Sequence, residues 1–323
     1  MLATLPTLIF SEPTYNSIHA LLIAQGTETL FEGYFNGYYA DLKHEAQSIT
    51  KSIQGLLVGI AIDKKFIPSL DVKIKGYFPQ YQHLDWKAGK DEITLRHLLT
   101  MTAGLQWNEA EMPYSAYYQN DANLHMMQQD WIAYPLSKPM LHKAGTSFAY
   151  SSASPVLISH ILREATGLPN ELFALHYLFA PLGITDYSYQ KSPHDQDILA
   201  DIDLLPTDLL KIGQMVLRKG HYGQHQIVPR TWIEASTSPQ IQFKTAGKSY
   251  GLMWWLDTLL LADGQSISCQ YAWGYGGQHI FVIPMYDLVV VTTGGYYDVT
   301  LANAPFELLR KHILPFMDSN FQY

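Results

Sequence analysis

Hydrophobic and polar positions change their period several times along the chain, and each change marks an element. Residues 17–24 and 27–35 are apolar-rich segments joined around Gln25-Gly26, the pattern of a β-hairpin. From Ser48 onward, Ile53, Leu56, Leu57, Ile60 and Ala61 recur at i, i+3, i+4, i+7 and i+8 before the polar Asp63-Lys64-Lys65. That spacing predicts a helix buried along one face. Residues 92–217 hold several helical patterns separated by loops rich in Tyr, Asn, Asp and Pro, with few strand-like runs. The best bounded predicted helix has Ser154 as N-cap, Pro155 at its first position, an apolar face at Leu157, Ile158, Ile161, Leu162 and Ala165, and Gly167 as its stop. Beyond residue 245 the pattern turns β-rich at 250–256, 266–273, 279–283 and 288–293, with a turn at 284–287 between the last two and a closing helix at 302–313. This order predicts an α/β layer made from residues 1–91 and 218–323, interrupted by a mostly α-helical lobe at 92–217, with an active site in the cleft between them.

Composition narrows the function. The chain has 323 residues, 47% of them apolar and 13% aromatic, enough for a large core and too many for disorder. The net charge of −8 comes with no run of Lys or Arg, so no footprint for nucleic acid or an anionic membrane is present. A small-molecule or peptide-like substrate is expected, with no cofactor, and nothing in the pattern reports on oligomeric state. Cys269 is the only cysteine, which excludes an intrachain disulfide and a cysteine metal cluster. Residues 1–10 are apolar without Lys or Arg and do not read as an export signal. No stretch approaches the roughly 20 apolar residues of a membrane helix. The expectation is a soluble protein, cytoplasmic as written, or periplasmic or secreted if a leader has been trimmed.

Three short motifs carry candidate chemistry. Ser48-Ile49-Thr50-Lys51 puts a hydroxyl and an amine one turn apart on one face at the head of the buried helix. There the free N–H groups and positive dipole end can stabilise an oxyanion, and a partly desolvated Lys can lose its proton near neutrality and act as base. The plainer reading is a helix-capping Ser48 and a solvated Lys51. Ser188-Tyr189-Gln190-Lys191 matches the same four-letter pattern but has no apolar periodicity behind it. Tyr150-Ser151-Ser152 lies on the loop entering the helix with Pro155, so Tyr150 and Ser152 can face one cleft, although Tyr-x-Ser/Asn also occurs at Tyr15, Tyr34 and Tyr118. Gly274-Tyr275-Gly276-Gly277-Gln278 precedes a strand, and its glycines admit a second backbone close to the sheet edge or simply form a turn.

Taken in this order, the motifs at Ser48, Tyr150 and Tyr275 resemble those of the serine β-lactamase and penicillin-binding-protein superfamily, in its class C β-lactamase and esterase branch. Thr50-Lys51-Ser52-Ile53, the stretch from Ile93-Thr94-Leu95-Arg96-His97-Leu98-Leu99 to Leu105, and Pro181-Leu182-Gly183-Ile184 resemble that branch at matching places, so the likeness spans residues 17–313. It implies an antiparallel β-sheet flanked by helices with an inserted all-α lobe, a β-lactamase/transpeptidase-like fold. It further implies a serine hydrolase acting on an ester or amide through an acyl-enzyme. Ser48 would be the nucleophile, Lys51 its activating partner and Tyr150 the general base and acid, favoured in its ionised form by Lys51. Ser152 stands where the family often has Asn, and Tyr275, Gly276 and Gly277 form the third motif. The backbone N–H groups of Ser48 and Gln278 would make the oxyanion hole. The third motif departs from the family in beginning with Tyr275 instead of Lys or His. A cation for a substrate carboxylate is then missing unless Arg96, Lys244 or Lys248 supplies it, and an esterase, amidase or D-peptidase is expected before an efficient β-lactamase. The pocket loops at 107–135 are rich in Tyr and Trp.

Three other readings compete. A catalytically inactive β-lactamase-like binding or assembly protein is disfavoured by retention of both Ser48 and Lys51. Gly247-Lys248-Ser249-Tyr250-Gly251 fits a nucleophile elbow with Asp287 and His312 in the order of an α/β-hydrolase, but polar Gln242-Phe243-Lys244-Thr245 precedes it where a buried strand is required. His221 and His225 have helical metal-ligand spacing, which Gly220 and Gly223 break, so no metal site is expected.

Overall fold

Period-two alternation divides the central strands between two cores. In this computed structural model, which describes residues 2–110, 113, 115–192, 197–245, 247–261, 264–298 and 300–320, the strands are β1 (Ile18–Gln25), β2 (Glu28–Tyr34), β3 (His44–Glu45), β4 (Tyr187–Lys191), β5 (Leu199–Leu204), β6 (His221–Tyr222), β7 (His225–Gln226), β8 (Ile241–Gln242), β9 (Ser249–Tyr250), β10 (Trp255–Leu260), β11 (Ser266–Gly274), β12 (Gln278–Ile283) and β13 (Leu288–Gly294). Eight of them form one antiparallel sheet in the order β2-β1-β13-β12-β11-β10-β9-β8. Ala20, Leu22, Ile280, Val282, Val289 and Val291 face one core, with the Ile49–Asp63 helix and the Pro206–Leu217 helix. Leu21, Ile23, Phe281, Ile283, Leu288 and Val290 face the other, with Leu5 and Ile9 of the Leu5–Ser11 helix and the C-terminal helices. β12 and β13 are covered on both sides and buried along their whole length, which is why residues 280–283 and 288–291 are continuous hydrophobic runs.

Several boundaries differ from the sequence expectation for physical reasons. The predicted strand at 250–256 is two short strands, β9 and β10, separated by Gly251–Trp254, where Met253 takes a left-handed φ of 63° and Leu252 N donates to Ser236 O. The helix assigned to a Ser154 cap begins two residues earlier, as Ala153–Thr166 with Ser152 at its N-cap, and ends as expected at left-handed Gly167. The closing helix does not stop before Pro315. Leu309–Ile313 widens to a π turn, Leu314–Asn320 follows, and the π turn accommodates the missing N–H of proline. Residues 187–191 and 199–204, expected within an α-rich stretch, pair with each other, and 199–204 also with residues 44–45, in a second antiparallel sheet, β3-β5-β4. β3 is too short to register as a strand by periodicity, and its pairing lies far along the chain.

Candidate active site

The Ile49–Asp63 helix presents the first motif, and its approach is constrained. Gln47 has a left-handed φ of 51°, and Ser48 follows at the N-cap position. Ser48 makes no side-chain capping bond. Instead, Lys51 Nζ donates to Ser48 Oγ at 2.7 Å, so neither half of the plain capping-and-solvated reading describes the pair. The third motif is pressed against the same entry. A Cβ on Gly274 would lie 2.5 Å from Ala46 O and 2.9 Å from Gln47 Cβ, so β11 ends in backbone contact with the residues leading into Ser48. Gly276 and Gly277 turn there with φ of 86° and 93°, and side chains at either would strike the rings of Tyr297 or Tyr296. Gln278 is fixed by donation from its Nε2 to Gly294 O at 2.8 Å and by acceptance from Gly294 N at 3.1 Å.

Lys51 is enclosed by groups brought from three other segments. Its ammonium lies 5.3 Å from the ring centre of Tyr150. Burial alone would depress its pKa, but Tyr150, Glu109 and Asp201 outweigh burial and hold it above the ordinary lysine value. Lys51 is thereby held toward its ammonium form, in which it donates to Ser48 Oγ, whereas a role as base requires that proton to be lost. Tyr150 in turn stacks at 5.8 Å on Trp255.

Glu109 carried no motif signal and is the largest omission from the sequence reading. It is only 4% exposed, accepts from Ser152 N and Ser152 Oγ at 2.7 Å each, and accepts from Trp107 Nε1 at 2.8 Å. Asp201 on β5 is the second. Thr50 Oγ1 and Ile202 N donate to its Oδ1 at 2.7 and 2.8 Å, and burial pushes its pKa up to about 6 against the pull of those bonds and of Lys51.

Ser48, Lys51, Ser152 and Tyr275 line one cavity of about 420 Å³, whose walls also include Gln54, Trp131, Val156, Leu199 and Asp201. Tyr275 donates from its hydroxyl to Tyr297 O at 3.1 Å, and Lys51 is the one Lys or Arg among the described lining residues. The alternative cations are elsewhere: Arg96 is paired with Asp71 at 2.7 Å, Lys248 lies 3.9 Å from Asp257, and neither they nor Lys244 reach the cavity wall.

The competing constellations are dispersed. Ser249 is buried on β9 with no helix after it, Asp287 is paired with Arg218 at 2.7 Å, and His312 packs edge-on against Tyr15. Ser188 and Lys191 sit three residues apart on β4, which sends their side chains to opposite faces. His221 and His225 lie on the two strands of the β6-β7 hairpin, not on a helix, and no cluster suited to a metal occurs among the described residues.

A sequence model described as Beta-lactamase matches residues 19–294. A 6-aminohexanoate-dimer hydrolase of Paenarthrobacter ureafaciens is 23% identical over 312 residues, covering 86% of this chain and 73% of that protein. Among solved structures, simvastatin synthase from Aspergillus terreus superposes with a TM-score of 0.73 at 16% identity, over 98% of this chain and 99% of that one. The octameric penicillin-binding protein homologue from Pyrococcus abyssi gives 0.69 at 18% identity, over 99% and 80%. The fold is that of this structural group, a large antiparallel sheet flanked by helices.

Proposed function

The chain belongs to the beta-lactamase family, and on that premise we propose that it is a serine hydrolase that cleaves an ester or amide through an acyl-enzyme on Ser48. The observation that carries the reading is the 2.7 Å bond from Lys51 Nζ to Ser48 Oγ at the head of a buried helix. Hydrolysis is also the activity named for the relative from Paenarthrobacter ureafaciens.

In this reading Tyr150 reacts as its phenolate: Ser48 Oγ attacks the substrate carbonyl as its proton passes to that phenolate oxygen. Lys51 remains cationic and offsets the negative charge as the proton moves. The oxyanion is received by the backbone N–H groups of Ser48 and Gln278. Tyr150 then delivers the proton to the departing oxygen or nitrogen, the ester or amide bond breaks, and water releases the acyl group by the reverse use of the same residues. Ser152, engaged by Glu109, and the turn at Tyr275, Gly276 and Gly277 form the substrate-facing walls. Because Tyr275 brings no charge, neutral esters and amides fit this wall better than a β-lactam carboxylate.

A fluorophosphonate probe followed by peptide mapping tests the assignment. Label on Ser48, lost in Ser48→Ala together with ester turnover, is expected. Label on Ser249, or a Ser48→Ala variant keeping more than about a tenth of wild-type activity, overturns it, because removing the nucleophile leaves only binding and oxyanion effects. No label at all favours a binding protein.

A further inference from the structure

The turn that carries the third motif is held by its carbonyl groups. Gln278 Nε2 donates to Tyr275 O at 3.2 Å, Tyr296 N donates to Gly276 O at 2.9 Å, and Thr292 Oγ1 donates to Gly277 O at 3.0 Å. Three successive carbonyls are thus committed to partners within the protein. The last of these bonds bears on catalysis, because Gly277 O and the N–H of Gln278 belong to one peptide plane. A trans peptide sets its C=O and N–H antiparallel, so whatever holds the carbonyl also aims the N–H. Thr292 is 1% exposed and alternates along β13 with Leu288 and Val290, whose side chains face the second core, whereas the Ile49–Asp63 helix packs against the first. Its hydroxyl therefore draws Gly277 O toward the sheet face away from Ser48. The N–H of Gln278 is turned toward the face that carries Ser48. The carbonyl is the nearer of two partners for this hydroxyl, His279 Nδ1 lying at 3.4 Å.

We propose that Thr292 is a positioning residue for the oxyanion hole: its hydroxyl anchors Gly277 O from behind, and so aims the Gln278 N–H at the oxyanion and strengthens it as a donor. The strengthening follows because a carbonyl that accepts a hydrogen bond polarises its own peptide group. The aiming matters because an oxyanion donor lowers the barrier only when it is already oriented, and losing one such donor outright costs about 10²–10³ in kcat. Thr292 does not line the cavity beside Ser48, so it acts through the peptide and not by contact with substrate. The side chain of Gln278, clamped to both backbone groups of Gly294, fixes the other end of the same unit. The inference rests on the acyl-enzyme reading and deepens it by assigning a residue that lies outside all three motifs.

Thr292→Val keeps the branched shape and removes the donor. The kcat/KM for p-nitrophenyl butyrate should fall by at least about tenfold, part of the effect of losing an oxyanion donor. The inhibition constant of n-propylboronic acid, whose tetrahedral adduct on Ser48 places an oxygen where the oxyanion forms, should rise by a comparable factor. Inhibition by 1-butanol, which has no carbonyl, should stay as in the wild type. Thr292→Ser retains the hydroxyl and should remain within about threefold of wild type in both measurements. If the valine variant does not fold, Thr292→Cys replaces it: a thiol is a weak donor, so the same pattern is expected to a smaller degree. A boronate inhibition constant unmoved by loss of the hydroxyl, equal losses for boronate and alcohol, or a serine variant as impaired as the valine or cysteine variant overturns the proposal. A wild-type protein that is neither labelled at Ser48 nor inhibited by the boronic acid overturns the acyl-enzyme reading itself, a result distinct from failure of the Thr292 assignment.

Discussion

Glu109 grips Ser152 twice, accepting from its backbone N–H and from its hydroxyl at 2.7 Å each. The carboxylate thereby pins the turn that follows Tyr150 while contributing negative charge to the surroundings of Lys51. One buried side chain couples the position of the second motif to the charge state of the first.

Glu109→Gln keeps one acceptor and loses the charge. It should destabilise the protein by about 1–3 kcal/mol, the range for a disrupted buried hydrogen-bonded charge. It also removes one of the anions that hold Lys51 above its ordinary pKa, so Lys51 should deprotonate more readily. The alkaline limb of the kcat/KM profile should therefore move to lower pH. A stability loss with an unmoved limb would leave Glu109 a purely structural residue.

Lys51→Met and Tyr150→Phe should each lower kcat by roughly a hundredfold or more, since the two groups handle one proton together. Their losses should not multiply. A double variant whose loss equals the product of the single losses would show independent action, and the shared-proton mechanism would have to be abandoned. Single-turnover measurement of p-nitrophenol release gives the comparison directly.

Tyr275 tests substrate preference. A charge-assisted hydrogen bond to a carboxylate contributes about 1.5–3 kcal/mol, so its absence should weaken recognition of a β-lactam by roughly tenfold to a hundredfold. Catalytic efficiency on p-nitrophenyl butyrate should exceed that on nitrocefin, and Tyr275→Lys should shift the ratio toward nitrocefin. A wild-type preference for nitrocefin would refute the assignment of this wall.

Asp201 gives stability a definite pH dependence. Its folded-state pKa, pushed up from 3.8 to about 6, means that the native protein holds this proton more tightly than the unfolded chain. The stabilisation from protonation is complete below about pH 4 and is lost as pH rises through about 6, where ionised Asp201 becomes a cost. Asp201→Asn should consequently be more stable than wild type at about pH 8, by on the order of 2–3 kcal/mol, with the difference vanishing near pH 4. Urea unfolding at the two pH values measures it, and a difference that does not change with pH would contradict the assignment.

Local pattern determined a good deal of this protein by itself. The helix behind Ser48, the β1-β2 hairpin and the apolar runs of β12 and β13 follow from periodicity, because burial on one face or on both imposes a repeat within a few residues. The Ser48–Lys51 spacing likewise fixes both side chains on one helical face. Tertiary structure decided what surrounds them. Glu109 sits among ordinary loop residues and Asp201 in a strand whose partner, residues 44–45, is too short to show a period, so neither had a local signature. The protonation of Lys51 could not be read from its own segment, since burial and three distant groups act on it in opposite directions and only their distances decide which prevails. The hold of Thr292 on the third motif is of the same kind: a threonine in β13 looks like any other β-branched strand residue until the fold sets its hydroxyl against Gly277 O.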